Sequence, residues 1–335
     1  MKTTSVCLFG ERELGVRRAF FEITNQCNML CKHCMNNSGE NSKRELKKEE
    51  IKQLLDELKL YQIQHLYISG GEPLLYYAID EVLEYAYQLG IKIVLATNGI
   101  EIKKHLPTIK KYVDAVSVSL DGIGETHDRF RGVIGAYDKL VNALDILQSE
   151  SIVTKMSTII WKGNMNQISE IVSLAKKKGV VKLNLNMIVP EGRAKDNSDI
   201  IIPPDKYPNL YSKVEELIEL NNNDAFTVDM KRRSIIDANS KPCPGGKTMF
   251  HINAIGKVAP CSWLSKIDGS NDFSEMWEKG NLGKCLDKCK KIDSVLSERE
   301  LKYGYAGCPA LAEIQNGSYL SEDPINKIIK QNTIL

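Results

Sequence analysis

The stretch "CNMLCKHC", residues 27–34, gathers Cys27, Cys31 and Cys34 at the spacing CxxxCxxC, with no fourth thiol beside them. Thiolates at this density suit zinc or iron and sulfur. A structural zinc site closes its tetrahedron with protein ligands, whereas a metal site that does chemistry keeps one position open. Three ligands on one short loop therefore point to a centre with a vacant corner. A second group, Cys243, Cys261, Cys285, Cys289 and Cys308, lies towards the other end, and Cys7 stands alone as a small hydrophobe. The start, "MKTTSVCLFGERELG", is broken by Gly10, Glu11 and Arg12 before a signal-peptide core could form. Nine cysteines without an export signal read as metal or catalytic ligands in a cytoplasmic protein rather than as a disulfide framework.

"SGGEP", residues 69–73, is the second candidate. Adjacent glycines let a ligand approach bare backbone, and Glu72 offers a carboxylate to a cation; the plainer reading is a tight turn closed by Pro73.

The elements that must position these residues alternate from residue 19 to about residue 190. "AFFEITN", "HLYISGG", "KIVLATNG", "AVSVSLDG", "VTKMSTII" and "VKLNLNMIV" read as strands. Between them Ile51, Leu54, Leu55 and Leu58 follow helical spacing, as do Ile79, Val82, Leu83 and Ala86, then Ile168, Ile171, Val172 and Ala175. Gly90 and Gly179 stand where helices would stop. Such units imply right-handed crossovers and a parallel sheet. That sheet could stay open and doubly wound or curl; the expected fold is α/β, a partial (β/α)6 TIM-type barrel over residues 1–200. A helical linker is expected over 201–237, with a helix near "YSKVEELIELNN". A small cysteine-rich domain follows over 238–335, with a hairpin "TMFHINAIGKVAPC" turning near Ala254, Ile255 and Gly256. The thiol loop then follows the first strand and "SGGEP" ends the second, both at the C-terminal mouth where α/β proteins do their chemistry.

Composition excludes several classes. Hydrophobic content of 42% and charged content of 26% are near globular averages. A formal net charge of +2 does not favour a nucleic-acid partner, and Lys176, Lys177 and Lys178 read as a solvated helix face. No apolar run is long enough to span a bilayer.

Together "CNMLCKHC", with His33 before the last cysteine, and "GGEP" resemble the radical S-adenosylmethionine (radical SAM) superfamily. "ATNG", "SVSLDG" and "HDRFRG" are similar to its SAM-contacting segments. The resemblance implies that Cys27, Cys31 and Cys34 hold a [4Fe-4S] cluster whose open iron chelates SAM. It gives Gly70, Gly71 and Glu72 the ammonium group of SAM, Asn98, Ser119 and Asp121 its pocket, and Arg131 its carboxylate. For the last four a structural role is an equal alternative, since short polar residues at strand ends commonly cap helices. The implied chemistry is reductive cleavage of SAM to a 5'-deoxyadenosyl radical that takes hydrogen from a substrate, with an electron donor such as flavodoxin or ferredoxin.

"CPGGKTMFHINAIGKVAPC" resembles the opening of the SPASM extension, and "GKCLDKC" and "GYAGCPA" its later pieces. The match departs at Cys285 and Cys289, spaced CxxxC, at Gly304 where a cysteine is expected, and beyond Cys308. Five cysteines supply one auxiliary [4Fe-4S] cluster, as in twitch domains: Cys243, Cys261 and Cys308 with either Cys285 or Cys289. The rival for this group is zinc. Trp263 and Trp277 read as core of the small domain, His65, His105 and His251 as structural or exposed, and His127 as shaping the "HDRFRG" loop.

The implied function is modification of a ribosomally made peptide, by a crosslink, thioether or other side-chain change. Only 26 residues precede Cys27, so recognition would need a separate protein or groove contacts. Ser262 after Cys261 departs from the aspartate of sulfatase-maturing enzymes. The alternatives are oxidation or rearrangement of a small molecule, such as a tetrapyrrole or antibiotic precursor, and a zinc-stabilised binding protein without turnover.

Overall fold

A computed structural model describes residues 17–39, 45–230, 243–266, 272–303 and 307–322; Cys7 and Gly304 lie outside the described residues. Seven strands run parallel in chain order: β1 (Arg18–Thr24), β2 (His65–Gly70), β3 (Lys92–Thr97), β4 (Ala115–Ser119), β5 (Thr154–Ile160), β6 (Lys182–Met187) and β7 (Thr227–Met230). Helices α1 (Lys48–Leu60), α2 (Ile79–Gln88), α3 (Ile102–Tyr112), α4 (Glu125–Arg131), α5 (Ala136–Ser149), α6 (Ile168–Lys177) and α7 (Tyr207–Asn221) fill the crossovers.

One side of the sheet takes the helices. Phe21, Ile68, Leu95, Val118, Met156, Leu185 and Val228 lie on one face of their strands and share one core with Leu54, Val82, Ile109, Leu144, Ile171 and Val214 from six helices. Doubly wound sheets carry helices on both faces; a single outer layer is what a curled, barrel-type sheet requires. The choice left open by the sequence is thereby decided for the partial barrel. Helix α1 illustrates the local logic. Ile51, Leu54, Leu55 and Leu58 form its buried stripe, each removed from water at a gain of about 2 kcal/mol, and Glu50 accepts the Lys47 backbone N–H at 2.8 Å to cap its start.

Two features depart from the expectation. The stretch expected as helical linker is helix α7 followed by strand β7, which pairs with β6. The C-terminal hairpin, β8 (Met249–Ile252) and β9 (Lys257–Ala259), also joins the main sheet, β8 running parallel to β1 with Phe20 opposite His251. With β10 (Glu275–Met276) the sheet is ten strands wide among the described residues, in the order β10-β9-β8-β1-β2-β3-β4-β5-β6-β7. Trp277 accordingly packs in the main core.

Helices α8 (Leu282–Lys290), α9 (Ile292–Tyr303) and α10 (Pro309–Asn316) complete the described chain. Helix α8 is docked on α1: Glu57 accepts the backbone N–H of Gly280 at 2.7 Å and of Leu282 at 3.1 Å, satisfying N–H groups that a helix start leaves open. Among the described residues, no helix is long and apolar enough to cross a membrane.

Candidate active site

The thiol loop leaves β1 at a register shift between Glu22 and Thr24, an irregularity of the kind that re-aims a chain beside active sites. Cys31 is buried, Cys27 and Cys34 half-buried, and all three border one small apolar cluster with Met29 and Ala136. Burial pushes the Cys27 thiol up to about 12 and the Cys31 thiol upward too; for Cys31 the Arg131 charge opposes it. Thiols so placed hold their protons until a metal displaces them.

The glycine turn is pressed onto this loop. The N–H groups of Gly71 and Glu72 donate to Thr24 O and Gln26 O, both at 2.7 Å. A Cβ at Gly71 would stand 2.1 Å from Gln26 O, and one at Gly70 2.4 Å from Thr24 O, so neither position admits a side chain. With the N–H groups of Gly71 and Glu72 spent, the turn offers a cation its carbonyls and the Glu72 carboxylate. That carboxylate is fully buried and accepts from Leu74 N at 3.1 Å, Thr97 Oγ1 at 2.8 Å and Asn98 N at 2.7 Å. Burial raises Glu72 to about 7 against the pull of these donors. A carboxylate has about four acceptor sites, so three donors leave room for one more. Asn98 extends the network, donating from Nδ2 to Asn28 Oδ1 on the thiol loop at 2.7 Å.

Ser119 ends β4 half-buried on the helix-free side, opposite Ser157 in register. Asp121 is fully buried: its N–H donates to His127 Nδ1 at 3.1 Å, and its Oδ1 accepts from Ile159 N at 2.7 Å. His127, held down at about 3 by burial and Arg131, shapes the "HDRFRG" segment as a neutral ring. Arg131 Nη2 stands 2.5 Å from Asp121 Oδ2, and Nη1 lies 3.7 Å from Cys31 Sγ. His33 stacks on Phe130 at 4.5 Å between centroids, and Phe130 on Trp161 at 4.4 Å. Burial keeps His33 neutral, assisted by Arg131 and Arg193.

Two constellations escaped sequence reasoning. Arg193, after β6, donates from Nε to Cys31 O at 2.8 Å and from Nη1 to Ser38 O at 2.7 Å, while its N–H donates to Cys34 O at 3.0 Å. Gly192 beside it has φ +58, and a Cβ there would meet Cys34 O at 2.4 Å, a crowding that only glycine tolerates. The motif "EGRAKD" was the available signal. The second is a buried ion cluster on the helix-free side. His251 Nε2 and Lys266 Nζ stand 3.0 and 3.1 Å from Glu22 Oε1. Burial pushes the Glu22 carboxyl up, but the charges of His251 and Lys266 outweigh it and hold it at about 2. His251, expected to be structural or exposed without a partner, thus joins barrel to C-terminal region. His105 is structural as expected, its Nδ1 3.0 Å from Asp80 Oδ1.

The donor set fits the implied cluster. Three soft thiols border one apolar cluster, the donor type that iron and sulfur take. His33 Nδ1, on the thiol loop, and Arg131 Nε, on the side chain that reaches Cys31, are buried without partners among the described residues. In the second group, Cys243, Cys261 and Cys308 border one apolar cluster with Leu264, Phe273, Ile292, Leu296 and Ala310. Cys289 is fully buried and its thiol is driven upward by burial, then by Cys285 and Cys261. Cys285 Sγ instead lies 3.5 Å from Asn281 Oδ1 and 3.7 Å from Met276 O.

Comparison with known proteins agrees with this geometry. The family model described as "Radical SAM superfamily" matches residues 21–189. An AdoMet-dependent heme synthase of Methanosarcina barkeri is 30% identical, over 91% of this chain and 94% of that protein. The mycofactocin maturase MftC of Mycobacterium tuberculosis is 29% identical over 78% of this chain and 70% of its own. Among solved structures, Streptococcus suis SuiB bound to S-adenosylmethionine superposes with a TM-score of 0.73 at 18% identity, covering 93% of this chain and 77% of SuiB. Native anSMEcpe with bound AdoMet gives 0.71 at 16% identity, covering 94% and 95%. These two likenesses establish the barrel. With a family model spanning half the chain and the thiol loop, glycine turn and carboxylate meeting at one rim, this chain belongs to the radical SAM superfamily.

Proposed function

We propose that this radical SAM enzyme modifies a ribosomally made peptide. The superfamily's [4Fe-4S] cluster and SAM supply a 5'-deoxyadenosyl radical; the protein's own task is to orient the substrate and exclude water. The observation that carries the peptide reading is the helix-free wall of the barrel. Between the Glu22 ion cluster and Lys155, which share this side, Ser69, Ser117, Ser119, Ser157, Asn184 and Asn186 line it half-buried, beside the stacked rings of Phe20 and Tyr67, 4.5 Å apart. Neutral donors and acceptors of this kind complement amide groups, and a stacked aromatic pair gives a side chain a surface to lie on. Similarity to the mycofactocin maturase supports the same reading.

In this reading Cys27, Cys31 and Cys34 hold the cluster, and Gly70, Gly71 and Glu72 receive the ammonium group of SAM, with Asn98 and Ser119 around its pocket; Asp121, fully buried, is engaged by Arg131 and Ile159 N instead. Cys243, Cys261, Cys289 and Cys308 hold one auxiliary [4Fe-4S] cluster, and Cys285 is the spare thiol. The influence of Cys261 on Cys289 supports that choice over Cys285, whose sulfur faces Asn281 and Met276. A flavodoxin or ferredoxin would supply the electron.

A second reading, oxidation of a carboxylate-bearing tetrapyrrole, is favoured by the heme synthase relative, which matches more of the chain. The two separate in one experiment. Reduced, cluster-loaded enzyme is given SAM with either peptides encoded beside its gene or a panel of tetrapyrrole carboxylic acids. Substrate-dependent 5'-deoxyadenosine and a mass change in the peptide support the first reading; the same result with a tetrapyrrole alone replaces it with the second.

A further inference from the structure

The C-terminal end of α4 bears directly on the thiol loop. Phe130 O accepts the Lys32 N–H at 2.9 Å, and Gly132, at φ +74, passes so close that a Cβ would stand 2.9 Å from Leu30 O. Asp128 secures the exit by accepting from Gly135 N at 2.6 Å and Tyr137 N at 2.8 Å. This docking delivers Arg131, 8% exposed, to Cys31. The arginine cannot swing away, because Asp121 is itself pinned. Besides the bonds from Ile159 N and to His127, its carbonyl accepts from Trp161 Nε1 at 2.9 Å and Asn164 Nδ2 at 3.1 Å.

We propose that Arg131 serves the iron–sulfur cluster and not the carboxylate of SAM: held by Asp121, its guanidinium donates to the Cys31 thiolate and raises the cluster's reduction potential. A carboxylate clamp needs a guanidinium edge with two N–H groups turned to the ligand. Here one N–H of Nη2 is turned to Asp121 and one of Nη1 to Cys31, so each terminal nitrogen already serves a protein acceptor. Nε is buried without a partner among the described residues, a further donor suited to an inorganic sulfide. Hydrogen bonds to sulfur and local net charge are the protein's main controls on cluster potential. Reduction adds a negative charge to the cluster, so a fixed cationic donor stabilises the reduced form more than the oxidised one. Arg131 is thus a positioning and tuning residue.

The inference rests on Cys27, Cys31 and Cys34 being the cluster ligands, and its test separates the two ideas. Wild-type protein is loaded with iron and sulfide without oxygen; if C31A retains the same iron and spectrum, the ligand assignment fails before Arg131 is addressed. Because R131Q alone would strand a buried carboxylate, the working variant is D121N/R131Q, with R131K beside it. The readouts are iron content, the midpoint potential of the SAM-free cluster by spectroscopic titration, and the Kd for SAM. D121N/R131Q is expected to load iron, to lose about tenfold in the reduction equilibrium, ~59 mV for one electron, and to bind SAM within about threefold of wild type. R131K, which keeps the charge and loses the planar fork, is expected to fall between the two, and it decides the matter should the double variant fail to load. A SAM-free potential unchanged in the variant that decides, or SAM binding weakened tenfold, overturns the proposal.

Discussion

The two cysteine regions of this chain, proposed above as two ligand sets, are built in opposite ways. Cys27, Cys31 and Cys34 sit on eight consecutive residues, and distant parts of the barrel are brought to them: Arg131 from α4, Arg193 after β6, Gly71 after β2. The second group spans residues 243 to 308, on a hairpin, on α8 and at the start of α10, around a core of few side chains. A local ligand loop needs the fold to position it, whereas dispersed ligands need one another to hold the fold. A small core of this kind benefits from a metal staple. The first site should therefore answer to mutation chiefly in reactivity, and the second chiefly in iron content and stability.

Five expectations break or sharpen that contrast. The largest is C31A, which should abolish 5'-deoxyadenosine release while the melting temperature stays within a few degrees; collapse of the fold would erase the distinction. Next, C289A should lose about four irons per chain, one cluster's worth, and melt early, whereas C285A should keep its full iron. Equal loss in both would place the two thiols on the same footing.

Glu22 lies where the regions meet. E22Q leaves His251 and Lys266 without their buried partner, a loss of about 3–5 kcal/mol, readable by denaturant unfolding. The pH dependence has a definite sign. A carboxyl held at about 2 when folded and 4.5 when unfolded contributes fully above pH 4.5 and is lost as pH falls towards 2. E22Q should flatten that stretch of the stability profile.

Glu72 has the opposite sign. Burial raises it to about 7, so its contribution to the stability of the SAM-free protein is present below pH 4.5 and lost as pH rises through 7. SAM affinity, which needs the carboxylate, should rise over that same upper range. E72Q should weaken SAM by about 2 kcal/mol, the scale of a charge-assisted hydrogen bond, and remove the pH dependence. The smallest effect is E57A, which takes the cap from the start of α8 and should cost about 1 kcal/mol without changing SAM cleavage.

How much was legible follows the same division. The six alternating strands, their helical stripes and the cluster loop were readable because each is a pattern within a few residues. Glu72 was readable for the same reason, flanked by its own glycines. Strand β7 was not: "TVDM" has four residues and gains its identity by pairing with β6. Nor was the joining of β8 to β1, which depends on edges meeting across the fold. Arg193 is 162 residues from Cys31, and Lys266 is 244 from Glu22; neither charge looks different from a surface charge until the sheet curls. The motif located Arg131 at the rim, but its pairing with Asp121 and its approach to Cys31, 100 residues away, arise only when the loops meet in the fold.

The claim on which the account turns is that the thiol loop carries a cluster with one open iron that takes SAM. Electron paramagnetic resonance of the dithionite-reduced, iron-loaded protein, recorded before and after adding SAM, tests it directly. The account predicts a change in the signal lost in C31A, accompanied by 5'-deoxyadenosine. A signal that SAM leaves untouched, with no nucleoside released, would contradict it.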